Sequence, residues 1–166
     1  MMKIDVAASA FPLGESRAFA FTAAPAALDM ETDAPHFCGD IHVNGTVMNT
    51  GTTFRVTGHI TASKTFVCDR CLVAGTRDIA HDFSEDYAKT TGEADGINTF
   101  EGDEIDLDEL VRDTLLVAEP LRELCKSDCK GLCPVCGQNL NEGTCDCNTF
   151  VPDPRLAALE SLLKND

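Results

Sequence analysis

Six of the chain's nine cysteines crowd into one stretch, CKSDCKGLCPVCGQNLNEGTCDC, from Cys125 to Cys147. Thiolates at such spacing suit a soft tetrahedral metal ion. Cys133 and Cys136 form the knuckle CPVCG, in which two sulfurs two residues apart turn back toward one ion and Gly137 permits the tight turn. A tetrahedral site needs four thiolates, so a second pair must join them, and either Cys145 with Cys147 or Cys125 with Cys129 could supply it. The intervening GQNLNEGT has the length of a compact ribbon loop. Core packing does not explain the cluster, because Lys, Asp and Gly between the cysteines offer few apolar neighbours. Structural Zn²⁺ is therefore expected, held by four of Cys125, Cys129, Cys133, Cys136, Cys145 and Cys147. An iron–sulfur cluster is the alternative, disfavoured because the spacing does not follow a ferredoxin run.

Cys68 and Cys71, in CDRC, offer a second pair. They could act as a redox couple, but a thioredoxin-type pair opens a helix, whereas KTFV before and LVAGT after read as strands. A hairpin knuckle, and with it a possible second metal site, is the expectation. That leaves Cys38, expected as a small buried hydrophobe. His36, His42, His59 and His81 are scattered along strand-like segments and are read as surface or hydrogen-bonded side chains rather than ligands. No serine sits in a nucleophile elbow and no glycine loop resembles a phosphate cradle, so no catalytic residue, small-molecule substrate or organic cofactor is expected.

Composition narrows the partners. The chain has 166 residues, 28 Asp and Glu against 13 Lys and Arg, and a formal net charge of −15. Such a surface repels phosphate backbones, which disfavours direct RNA contact except through a local patch such as Lys126 and Lys130. The stretch from Asp82 to Glu123 carries most of the excess, and an acidic face that attracts a basic protein is the reading that follows. No apolar run is long enough to span a membrane. The opening segment is interrupted by Asp5, closed by Pro12 and Glu15 and carries a single Lys3, so it is not expected to be an export signal. Reduced thiols point to the cytoplasm.

The elements that must hold these residues read as an α+β fold. Phe19 and Phe21 in SRAFAFT, Ile41 with Val43, then Phe54, Val56, Gly58, Ile60 and Ala62, and later Ile79 with Phe83, alternate as strands do and predict an antiparallel sheet. Residues 90–103 are acidic and glycine-rich and are expected as an exposed loop. The period then changes. Asp106 can cap a helix with Glu109 three residues on, Leu107, Leu110, Val111 and Leu115 form a stripe, and Pro120 stops it, so an amphipathic helix should cover the sheet. Asp153 and Pro154 open a short closing helix. The expected organisation is a β-rich domain over 1–123, a zinc-binding module over 124–150 and a C-terminal helix within 151–166.

Taken together, CDRCL after a strand, EIDLDELVRDTLLVAEPLRELC as the helix, CKGLCPVCGQNLNEGTCDC as the cluster and DPRLAALESLL at the end resemble the YceD family of large ribosomal RNA subunit accumulation proteins, in the right order over residues 54–166. The resemblance implies a cytoplasmic or plastid protein with no known enzymatic activity, needed for large-subunit ribosomal RNA to accumulate. Some members keep the CxRC pair and the helix without the C-terminal cysteines, so the metal module reads as reinforcement or an adaptor surface. The implied partner is a pre-ribosomal particle or a basic ribosomal protein. Two other readings stay open: a zinc-ribbon adaptor in transcription or another complex, and a thiol oxidoreductase using Cys68 and Cys71.

Overall fold

The computed structural model describes residues 1–7, 11–30, 36–90, 98–148 and 155. The expected closing helix and residues 91–97 of the acidic loop lie outside them, Arg155 excepted. The chain divides into two units, the first Met1–Phe66 with Ala74–Leu121 and the second Val67–Val73 with Arg122–Asp166. A boundary drawn at residue 123 misses that Val67–Val73, with its two cysteines, goes with the C-terminal part.

In the first unit, β1 (Lys3–Asp5) pairs antiparallel with β7 (Glu104–Asp106). β2 (Ser16–Ala23), β3 (His36–Asn49), β4 (Phe54–Val67), β5 (Ala74–Lys89) and β6 (Asn98–Phe100) form a five-stranded sheet in that order. The expected alternation is visible in it: Ile41, Val43, Val47, Val56 and Ile60 are buried, and so are Phe83 and Tyr87 on β5. On the opposite face of β4 and β5, Arg55 meets Asp86, His59 meets Asp82 and Ser63 meets Asp78. As one number rises by four the other falls by four, so these strands run antiparallel in one unbroken register. Gly45 and Gly58 face each other across β3 and β4. A Cβ on Gly45 would lie 2.7 Å from the Phe19 ring and one on Gly58 2.5 Å from Phe83, so the missing side chains make room for two aromatic rings.

Five expectations change. The sheet is mixed, because β6 runs parallel to β5 with Tyr87 opposite Asn98. The acidic loop accordingly contains strand structure, since Phe100 is needed in the core, where its ring packs edge-on to Phe54 at 5.7 Å. Glu104–Asp106, expected at the start of the helix, is strand β7, with Ile105 fully buried. Finally, the helix α1 runs Asp108–Val117 with Leu107, not Asp106, at its N-cap position. The Asp106 carboxylate instead accepts from the Asp108 N–H two residues on, the local turn that aspartate favours at a strand end. Cys38 is half-buried, not buried, beside a register break between Cys38 and His42.

The helix covers the sheet as its stripe requires. Leu107, Val111 and Leu115 are fully buried, Leu110 partly. Each such side chain withdrawn from water stabilises the unit by about 1.5–3 kcal/mol. Beyond the helix, Glu119 forms an ion pair with Lys64 of β4, whose side chain is only 1% exposed. Charges this deep are costly to separate. Glu119→Ala should lower stability by about 1–3 kcal/mol, because it strips an acceptor from a buried ammonium group. The double variant Lys64→Met/Glu119→Leu should recover most of that loss in denaturant melts, since an apolar pair of similar volume escapes the desolvation penalty. A double variant as unstable as the single would show that the ion pair, not desolvation, dominates.

Candidate metal centre

Eight of the nine cysteines converge into two groups of four within the second unit. Cys68, Cys71, Cys125 and Cys129 form one, Cys133, Cys136, Cys145 and Cys147 the other, and in each the sulfurs all lie within 4.8 Å of one another. The stretch Cys125–Cys147 is thus split. Its last four cysteines complete a site by themselves, whereas Cys125 and Cys129 meet the pair Cys68 and Cys71, more than fifty residues earlier in the chain.

Both CxxC pairs are built by the same turn. The Leu72 N–H donates to the Cys68 carbonyl at 2.9 Å and the Cys68 N–H to the Val73 carbonyl at 2.9 Å. In the other pair, the Gly137 N–H donates to Cys133 at 2.9 Å and the Cys133 N–H to Gln138 at 2.8 Å. The residue after the second cysteine is left-handed in each, at φ 58° for Leu72 and φ 76° for Gly137. Glycine takes this conformation without strain, so CPVCG advertises its turn in the sequence; leucine does not, so CDRC hides it. The remaining contacts lock the ribbon. Arg70 donates to the Cys129 carbonyl at 2.8 Å, the Leu132 N–H reaches the Arg70 carbonyl at 3.1 Å, and Asn141 donates to the Cys129 sulfur at 3.3 Å. Asp69 and Glu123 exchange two hydrogen bonds that hold the first knuckle beside Cys125.

The spacings suit one ion per site. Cys68 and Cys129 sulfurs lie 3.8 Å apart and Cys71 and Cys125 sulfurs 3.6 Å apart. A disulfide would need about 2.05 Å, whereas the edge of a tetrahedron with metal–sulfur bonds of about 2.3 Å is roughly 3.8 Å. A multi-iron cluster spreads its thiolates over separate irons and would hold them farther apart. The protonation pattern agrees. Burial acts to raise the Cys68 thiol, but backbone N–H groups of Cys125, Cys71 and Arg70 outweigh it and lower it to about 6. Cys133 is likewise lowered to about 6, chiefly by the N–H groups of Cys136 and Val135. In the same quartets burial and then the neighbouring thiols push Cys125 up to about 12, and Cys136 first, with burial, pushes Cys147 up to about 12. Four sulfurs at this distance cannot all ionise without a cation among them, and that is what a metal supplies.

Three of the sulfurs in the first quartet are buried and Cys125 is exposed; in the second only Cys133 is buried. Among the described residues, no histidine belongs to either group. His42 bonds Thr22 and His59 bonds Asp82, on the sheet.

A family model described as large ribosomal RNA subunit accumulation protein YceD matches residues 56–163, a span that contains both quartets and α1. An uncharacterized protein of Mycobacterium leprae is 32% identical over 91 residues, 51% of this chain and 42% of its own length. One from Mycobacterium bovis is 31% identical over 114 residues, 65% of this chain and 55% of its own. In Arabidopsis thaliana, the protein named large ribosomal RNA subunit accumulation protein YCED homolog 1, chloroplastic, is 37% identical over 59 residues, 36% of this chain and 18% of its own. The chain therefore spans between roughly a fifth and a little over half of these relatives. No solved structure matches.

Proposed function

The chain belongs to the YceD family, and on that premise we propose that it is a ribosome-biogenesis factor that supports the accumulation of large-subunit ribosomal RNA without catalysing a reaction. The observation that carries this is the extent of the family match, which takes in the helix and both cysteine quartets, not an isolated motif. The family description names an accumulation role and no reaction, as does the name of the Arabidopsis relative. Each quartet, in this reading, holds one structural Zn²⁺, the usual ion for a closed site of four thiolates, and the ion folds the ribbon instead of activating water. The protein acts in the cytoplasm, where its thiols stay reduced, through a protein or pre-ribosomal partner. Among the described residues, no helix is long and apolar enough to cross a membrane.

The oxidoreductase alternative loses support from the same geometry. Cys68 and Cys71 sit on a turn between strands and face Cys129 and Cys125, so their sulfurs are engaged with other ligands. The test of the proposed role is depletion of the protein in its own cells, followed by measurement of the ratio of large- to small-subunit ribosomal RNA. The ratio should fall and recover with the wild-type chain. An unchanged ratio, with no association with pre-ribosomal particles on sedimentation, rules the role out.

A further inference from the structure

Strand β5 is paired with β4 along one edge, but on the other β6 covers only Tyr87–Lys89. Among the described strands, the rest of that edge is open. Beside its His81–Tyr87 stretch lies a groove of about 1520 Å³, walled by the turn that ends at Asp29, by the segment from Asn98 to Asp106 and by α1. We propose that this groove is a docking site for a basic, extended segment of another protein, which adds to the open edge of β5 as a strand.

Charge is the first argument. Nine carboxylates line the groove against two permanently cationic side chains, Lys3 and Arg112. Both cations are already engaged, Lys3 with Glu104 at 2.9 Å and Arg112 with Asp113 at 3.4 Å. Glu109 on α1 has no cationic partner among the described residues. The second argument is Tyr87. It lines the groove, is 6% exposed, and its hydroxyl has no hydrogen-bond partner among the described residues. Burial, and then the carboxylates of Glu85, Glu109 and Asp106, push its phenol up to about 12, so the group stays protonated and senses the negative field. The ring is buried, but among the described residues no buried side-chain oxygen lacks a hydrogen-bond partner, so the hydroxyl itself reaches the open groove and is available to a group laid there. A strand laid along β5 can accept from this hydroxyl with a peptide carbonyl, while alternate Arg or Lys side chains reach the carboxylates.

Other occupants fit less well. The groove exceeds the roughly 300–1,000 Å³ of a small-molecule pocket. Its carboxylates form no cation cage, because the only convergent metal-ligating groups among the described residues are the two cysteine quartets. Nucleic acid is repelled, and so is a second copy of a chain with net charge −15. Residues 91–97 carry Glu93 and Asp95, the same sign as the groove. The proposal names the partner chemistry for the biogenesis role and rests on that reading only for where the partner is found.

Tyr87 is the sole tyrosine and the chain has no tryptophan, so tyrosine emission from the intact, metal-loaded protein reports this groove alone. The probe is a short peptide of alternating Arg and Val. It should change the emission saturably, and its affinity should fall as salt rises through about 0.1 M, where screening reaches roughly 10 Å. Glu85→Gln/Glu109→Gln should weaken it about tenfold, and so should N-methylation of alternate peptide nitrogens, which removes strand pairing but keeps the charge. An unchanged emission overturns the proposal. So does an equal response to spermine or to the methylated peptide, or preferential binding of a single-stranded RNA oligonucleotide. Failure here leaves the ribosomal RNA measurement untouched, and failure there leaves the peptide titration standing.

Discussion

The chain purified under reducing conditions should carry about two Zn²⁺, one per quartet, and should lose the order of its second unit when they are removed. Structural zinc in small peptides is bound with an apparent free energy of about 10–16 kcal/mol, and because no preformed site exists in the unfolded chain, that energy is folding energy. The second unit has little else to fold with. Among its described residues, only Cys68, Cys71, Cys129 and Cys133 are buried as apolar groups, and all four belong to the two quartets. Chelation should therefore make the ribbon sensitive to protease while the sheet of the first unit keeps its strand signal. Cys133→Ser and Cys71→Ser should each reduce the metal content to about one, and Cys38→Ser should leave it unchanged. The second quartet, with Cys136 exposed and Cys145 and Cys147 half-exposed, should surrender its ion first. A metal-free chain with an intact, protease-resistant ribbon would contradict both sites, and a stoichiometry of one that Cys71→Ser leaves unaltered would contradict the first.

Leu115→Asp should unfold the first unit. Leu115 is fully buried on α1 with Leu107 and Val111, and the substitution both removes a packed side chain and leaves a carboxylate without water or a counter-charge. The loss is on the order of 4–5 kcal/mol, a large part of the roughly 5–15 kcal/mol that holds a domain folded. Val117→Asp, two residues on but 86% exposed, should change stability by no more than about 0.5 kcal/mol. Thermal melts followed by Tyr87 emission separate the two variants, and equal melting temperatures would mean that α1 does not bury its stripe.

Much of this could be read from residue order. Period-two alternation places Val56, Ile60 and Phe83 inside, because a strand turns successive side chains to opposite faces whatever it pairs with. The stripe of Leu107, Val111 and Leu115 placed α1 on the core for the same local reason. The quartet Cys133, Cys136, Cys145 and Cys147 lies within one short segment, so a compact ribbon can close it without help from elsewhere. What the order of residues leaves open is every feature decided by contacts between distant segments. Lys3–Asp5 is too short to signal a strand and becomes one only through its pairing with Glu104–Asp106. Asn98–Phe100 looks like loop because its acidic, glycine-rich surroundings dominate the pattern, yet burial of Phe100 draws it onto β5 in parallel. The assignment of Cys125 and Cys129 to Cys68 and Cys71 had no local signal, because either pair could chemically have served Cys133 and Cys136. Only the fold, which returns the chain beyond α1 to the turn between β4 and β5, brings those sulfurs within 3.6 to 3.8 Å, where a single ion can hold all four.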